Sequence, residues 1–146
     1  MTETSMTTPS KDGITSVHDE LIQLTEKLLH SISSGDWKTY EQLCDVTLTA
    51  FEPEACGHLI EGMEFHRFYF DLKQPNTSHQ TTLVQPHVRM LGEDVGVVSY
   101  NRLMQSVDAK GQPRSTCTEE TRVWHRHNGQ WKHVHFHRSD PTHSSN

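Results

Sequence analysis

Glu119-Glu120-Thr121-Arg122-Val123-Trp124-His125-Arg126-His127-Asn128-Gly129-Gln130-Trp131-Lys132-His133-Val134-His135-Phe136-His137-Arg138 reads as two strands joined by an Asn-Gly turn. Asn-Gly accepts the positive backbone angles that a two-residue hairpin turn demands. Strand side chains alternate faces, so Arg122 shares one with Trp124, and Arg138 shares one with Val134 and Phe136. Upstream, Arg102 has the parity of Tyr100 and Met104. Three arginines in register with large apolar residues need a reason, because an unpaired buried ion costs several kcal/mol. One reason is a sheet curved around a wet, cationic pocket that holds carboxylates, which the planar guanidinium fork can grip with two bonds. The plainer one is ion pairing within the sheet, with Glu119, Glu120 or Glu52 as partners.

Outward from the hairpin, the spacing predicts strands near 80–91, 95–107, 114–127 and 130–138, separated by Gly- and Asp-bearing turns. Before them, Ile14, Val17, Leu21, Leu24, Leu28 and Ile32 recur at three- and four-residue steps, the signature of one buried helix face. Ile22 and Leu29 widen that stripe enough for a helix lying on a sheet. Gly35 can close this helix, and Asp36 can cap a second from Trp37 to about Cys44. A strand over Thr47–Glu52, an extended piece over His58–Glu61 and an aromatic helix over Met63–Phe70 complete the order. Helices first and a long antiparallel meander after them make an α+β domain, helices on one face of a strongly bent sheet.

One domain accounts for all 146 residues. Leu, Ile, Val and Phe make up about 21% of the chain, close to the level that signals disorder. The deficit lies at the ends. Residues 1–13 are expected as a disordered leader or linker remnant, 14–138 as the folded domain, and 139–146 as a flexible tail. A formal charge of −6 argues against a general nucleic-acid binder. The three cysteines have no metal-ligand spacing and fit a reducing compartment. No apolar run reaches the length of a membrane span, no signal-peptide core is present, and cytoplasm is the expected location.

Twelve histidines raise the question of a metal. His133, His135 and His137 alternate and so are expected on one face, as are His125 and His127, a pattern that can present nitrogens to zinc. Such a site needs convergence from other elements, and solvent-facing or interface histidines are the stronger reading; no metal or cofactor is expected. Histidines at a subunit contact would make an assembly sensitive to mild acid. Glu52 and Glu54, flanking Pro53, read as acids that orient a bend and balance nearby arginines. The aromatics of Phe65–Phe70 read as core and interface packing, and Cys44 and Cys117 as small buried hydrophobes.

Thr49-Ala50-Phe51-Glu52-Pro53-Glu54-Ala55, Phe65-His66-Arg67-Phe68-Tyr69-Phe70 and the hairpin through His135-Phe136-His137-Arg138 together resemble the association, or hub, domain of calcium/calmodulin-dependent protein kinase II. The resemblance covers nearly all of 14–138. It implies the nuclear transport factor 2-like fold, a cone of curved sheet around a long N-terminal helix. It also implies a non-catalytic module that self-associates into two stacked rings, a dodecamer or tetradecamer, and clusters the kinase domains of a calmodulin-binding serine/threonine kinase. Tethering of that kind raises effective concentration. The resemblance places Arg102, Arg122 and Arg138 in the cone's pocket, receiving acidic peptide segments or small carboxylates, with His66, Tyr40 and Glu26 around the same cavity. No kinase signature occurs in the chain. Two features depart from the family: the loop Asp71 to His79 is short and lacks a tryptophan often found there, and His133 replaces a usual aliphatic residue. The competing reading is a small-molecule isomerase, dehydratase or cyclase of the same fold, in which a cavity carboxylate or histidine moves a proton and the arginines stabilise an enolate.

Overall fold

Ser16 opens the first helix, its hydroxyl accepting from the Asp19 N–H at 3.1 Å, and Gly35 closes it in the left-handed region at φ 73°. The computed structural model describes residues 16–72 and 79–143; Ile14, the expected leader 1–13, most of the loop Asp71 to His79 and residues 144–146 lie outside that range. Helix α1 (Val17–Ser34) buries the face that the spacing predicts, with Leu21, Leu28 and Leu29 sealed and Val17, Ile22, Leu24 and Ile32 partly covered. Asp36 caps α2 (Trp37–Leu43), accepting from the Thr39 N–H at 3.1 Å and its hydroxyl at 2.7 Å.

The chain then forms β1 (Cys44–Phe51), a single 3-10 turn at Pro53–Ala55, β2 (Ile60–Glu61) and α3 (Glu64–Leu72). Four long strands follow: β3 (Gln80–Met90), β4 (Val95–Val107), β5 (Pro113–His127) and β6 (Gln130–Arg138). Among the described residues the sheet runs β2-β1-β6-β5-β4-β3, helices packed on its curved face. Strands β3 to β6 are the expected meander, and Asn128 and Gly129 take φ 53° and 77° in its tightest turn. Strand β1 lies parallel to β6, an adjacency of residues some ninety positions apart that no local pattern announces. Within the expected tail, Thr142–His143 pair with Cys117 and Thr116 of β5 as β7.

Two strands carry the inner face without interruption. Gly96, Val98, Tyr100 and Arg102 of β4 alternate inward, as do Thr118, Glu120, Arg122 and Trp124 of β5. Strand β6 behaves differently. Trp124 pairs with His133 but Val123 pairs with His135, so Val134 is an extra, unopposed residue: a β-bulge. The bulge reverses the parity of everything beyond it. Trp131 and His133 face inward before it, and Phe136 and Arg138 face inward after it. His133 is therefore fully buried, while His135 and His137 lie on the opposite face; the expected row of three is broken. Arg138 shares its face with Phe136 and His133 rather than with Val134.

Helix α1 approaches the sheet closely at Gly96, where a Cβ would fall 2.3 Å from Leu21 Cδ1. Leu21 has no accessible surface and little room to turn aside. Thr25, one turn on, accepts the Trp124 indole N–H at 3.1 Å and donates to the Leu21 carbonyl at 2.8 Å, so helix and sheet are joined by polar as well as apolar contact. Gly96→Ala is expected to lower unfolding free energy by about 1–3 kcal/mol through overpacking. A urea-unfolding curve checks this, and an unchanged midpoint would mean that the helix slides freely over β4.

Candidate functional site

Strands β4, β5 and β6 deliver Arg102, Arg122 and Arg138 to one cavity of about 210 Å³. Its other walls are Tyr40 from α2, Ile32 from α1, His66, Tyr69 and Phe70 from α3, Glu52 and Glu54 after β1, Met104 and Phe136. Five of the six residues singled out from the sequence thus meet: Tyr40, His66, Arg102, Arg122 and Arg138. Glu26 does not. It is exposed on α1 and borders a separate concavity beside His30 and Thr81, because the inward position on that turn belongs to Thr25.

The arginines are both cavity walls and ion-pair partners. Glu120, on the inner face of β5 between Thr118 and Arg122, is the hub of the deepest group. Its Oε1 accepts from Arg122 at 2.9 Å and from the Tyr100 hydroxyl at 2.7 Å. Its Oε2 accepts from the Thr118 hydroxyl at 2.9 Å and from Arg102 at 3.4 Å. Burial alone would raise the Glu120 pKa, but Arg122, Arg102 and the Tyr100 hydroxyl outweigh it and bring the carboxyl down to about 2. Glu119, the other acid considered as a partner, is exposed, and its backbone N–H donates to Ser139 Oγ.

Arg122 is almost inaccessible, and each of its three nitrogens has a partner. Nε donates to the Tyr100 hydroxyl at 2.7 Å, one terminal nitrogen meets Glu120, and the other lies 3.4 Å from His133 Nε2. Its guanidinium carbon sits 4.5 Å from the centre of the Phe136 ring. Arg102 is less well served. Burial pulls its pKa below the usual arginine range despite Glu120, and its Nε is buried without a hydrogen-bond partner. Nearer the mouth, Arg138 donates to Glu52 at 3.0 Å and to Glu54, as their places around Pro53 suggest.

Three guanidiniums therefore face three carboxylates, and the expected cationic chamber is instead close to charge balance. Burial raises the Glu52 pKa against the opposing pull of Arg138. His66 Nδ1 lies 3.4 Å from Glu52, and burial together with Arg122 brings the imidazole down to about 4, so it is neutral at pH 7. His66 Nε2 is buried without a hydrogen-bond partner. Sequence reasoning gave no role to Tyr100 or Thr118, although both stand on the inward parity of their strands. Nor did it see His133 as a core residue, since the bulge that puts Phe136 on its side has no signature of its own.

Among the described residues no three His, Cys, Asp or Glu side chains converge as a metal would require. Cys44 is buried as expected, its thiol pushed up to about 12 by burial, whereas Cys117 is half-buried and Cys56 is exposed. No helix among the described residues is long and apolar enough to cross a membrane.

Because Glu120 serves two arginines, Glu120→Gln is expected to cost about 3–5 kcal/mol of stability, the penalty for stranding buried charge. The wild-type contribution has a definite pH window. A carboxyl depressed to about 2 stabilises the fold fully above its unfolded value near 4.5, and that stabilisation disappears as pH falls toward 2. Urea curves at pH 7 and pH 3 check both statements, and a Gln variant as stable as wild type at pH 7 would contradict them.

The sequence matches a family model, the calcium/calmodulin dependent protein kinase II association domain, over residues 17–142. The chain is 48% identical over 140 residues to the delta subunit of calcium/calmodulin-dependent protein kinase type II of Oryctolagus cuniculus. That alignment covers 94% of this chain but 26% of the kinase subunit, so the chain spans about a quarter of its relative's length. The solved association domain of the C. elegans kinase superposes with a TM-score of 0.82 at 44% identity, covering 85% of this chain and 95% of that one. A nuclear transport factor 2-like superfamily protein of Salmonella enterica shares the fold, with a TM-score of 0.69 at 22% identity over 86% of this chain and 92% of its own. With the helix-then-meander order, the inward arginines and this match in agreement, the chain belongs to the calcium/calmodulin-dependent protein kinase II association-domain family and has the nuclear transport factor 2-like fold.

Proposed function

We propose that the chain is a non-catalytic hub that assembles with copies of itself into stacked rings and holds kinase domains close together. The observation that carries this, beside the family, is apolar surface at both ends of the sheet. Val46 is 78% exposed and Leu59 46% at the β1–β2 edge, while Val84 on β3 is 37% exposed and Leu91 just after it 56% at the opposite edge. Large exposed aliphatics at two unlike edges suit a head-to-tail contact, the kind whose repetition closes a ring. Stacking then needs only a second, two-fold contact. A dodecamer or tetradecamer in the cytoplasm is the assembly proposed, clustering kinases so that encounter becomes intramolecular.

The cavity, in this reading, takes a short carboxylate or the side chain of an acidic peptide segment. Its size and buried guanidiniums support that guest, and the carboxylates already present show the chemistry it would imitate. The rival reading as an isomerase, dehydratase or cyclase asks Glu52 or His66 to act as a base. Glu52 has one oxygen on Arg138 and the other beside His66, and His66, brought down to about 4, is a weak base, so neither residue is tuned to take a substrate proton near neutral pH.

Native mass spectrometry or light scattering tests the ring. Twelve copies of a 16.8 kDa chain give about 200 kDa. Val46→Asp together with Leu59→Asp is expected to reduce the particle to dimers or monomers while the circular dichroism spectrum stays unchanged. A wild-type monomer at high concentration would refute the hub.

For the cavity, an incoming anion beside Glu52 favours the protonated acid, whose pKa burial has already raised. Carboxylate affinity is therefore expected to strengthen as pH falls from 7 toward 5, with proton uptake on binding. Titration calorimetry with butanoate in buffers of differing ionisation enthalpy measures the uptake. An affinity that is level across this range would exclude the coupling.

A further inference from the structure

His133 does not line the cavity, yet it touches the residue that organises it. The imidazole is fully buried, stacked on Phe136 at 5.5 Å and 18°, with Trp124 at 5.3 Å on another side. Its two nitrogens face defined partners. Nε2 lies 3.4 Å from a terminal nitrogen of Arg122, and Nδ1 lies 3.5 Å from Cys44 Sγ. A guanidinium can only donate, so Nε2 is the unprotonated nitrogen and Nδ1 carries the hydrogen toward the sulfur. Burial and Arg122 together keep the ring neutral, as that assignment requires.

We infer that His133 is a positioning residue: by accepting from Arg122 it commits that guanidinium to the protein and leaves Arg102 to offer the donor for an incoming carboxylate. This rests on the reading of the cavity as a carboxylate site. The three arginines are not equivalent under it. Each nitrogen of Arg122 has a partner, in Tyr100, Glu120 and His133; Arg138 is held by Glu52 and Glu54; Arg102 alone of the three has a buried Nε without a hydrogen-bond partner. Removing the acceptor at 133 leaves an Arg122 N–H unsatisfied in the core, and the guanidinium turns to find another oxygen. Glu120 is the shared anchor, so a turn of Arg122 also disturbs the aim of Arg102.

The test uses butanoate and three variants of the whole chain. His133→Leu fills the site but accepts nothing. His133→Gln puts an amide oxygen near the place of Nε2. Arg102→Lys keeps the charge and loses the Nε donor. Calorimetry is expected to show roughly tenfold weaker binding for Arg102→Lys and for His133→Leu, with His133→Gln within about threefold of wild type. Recovery by Gln separates an acceptor role from simple packing. Undiminished binding in Arg102→Lys overturns the donor assignment, and undiminished binding in His133→Leu overturns the positioning role. If the wild type binds no butanoate, the carboxylate reading of the cavity fails and the donor assignment to Arg102 falls with it. A crystal structure of His133→Leu then decides the positioning role: an unmoved Arg122 guanidinium refutes it, and a re-aimed one sustains it.

Discussion

One carboxylate holds the interior of this domain together. Glu120 has no accessible side-chain surface, and it meets two guanidiniums, a phenol and a hydroxyl at once. Without it, Arg122 and Arg102 would be unpaired cations between Trp124, Tyr100 and Phe136, a state costing more than any single core contact returns. With it, strands β4 and β5 are tied across their inner faces by charge as well as by backbone bonds. The cavity lies between these strands and α3, with Arg102 and Arg122 among its walls.

The inner faces of β4 and β5 were legible in the sequence because each strand alternates without a break. Parity alone brought Tyr100 with Arg102 and Arg122 with Trp124, and the structure keeps both pairs. Parity failed at β6 because Val134 bulges, and a single extra residue exchanges the faces of all that follows. The lone buried histidine of the His133–His135–His137 row, and the escape of the other two to the outer face, follow from that one backbone event. Nothing in the residue types forbade a regular strand there. The parallel contact of β1 with β6 was hidden for another reason: pairing across the whole domain depends on how the chain returns, not on either strand's own pattern.

Glu26 shows the limit of a position carried over from a family. One residue along a helix turns the side chain by about 100°, so the neighbour of an inward residue points elsewhere. Thr25 takes the inward place and spends its hydroxyl on Trp124, leaving Glu26 on the surface. The acids after β1 were better judged, since a proline between two glutamates at a strand end presents both to whatever cation lies opposite. Arg138 lies there because the bulge in β6 aims it inward.

Charge balance in the cavity bears on how it can act. A chamber lined by unpaired cations would grip an anion tightly and would also destabilise the empty fold. Here every arginine of the cavity already has an internal carboxylate, so beyond the unpartnered Arg102 Nε a guest's carboxylate gains only what it wins over Glu52, Glu54 and Glu120 in exchange. Such an exchange is modest in free energy and responsive to small changes, because displacing Glu52 from Arg138 also loosens its contact with His66 on α3. Helix α3 carries Phe68 and Leu72 outward, 58% and 62% exposed, on the side away from the cavity. The cavity wall and this exposed apolar face thus meet on the same short helix, whose nine residues are too few to be stable without the aromatic packing of Trp37, Tyr40 and Phe70.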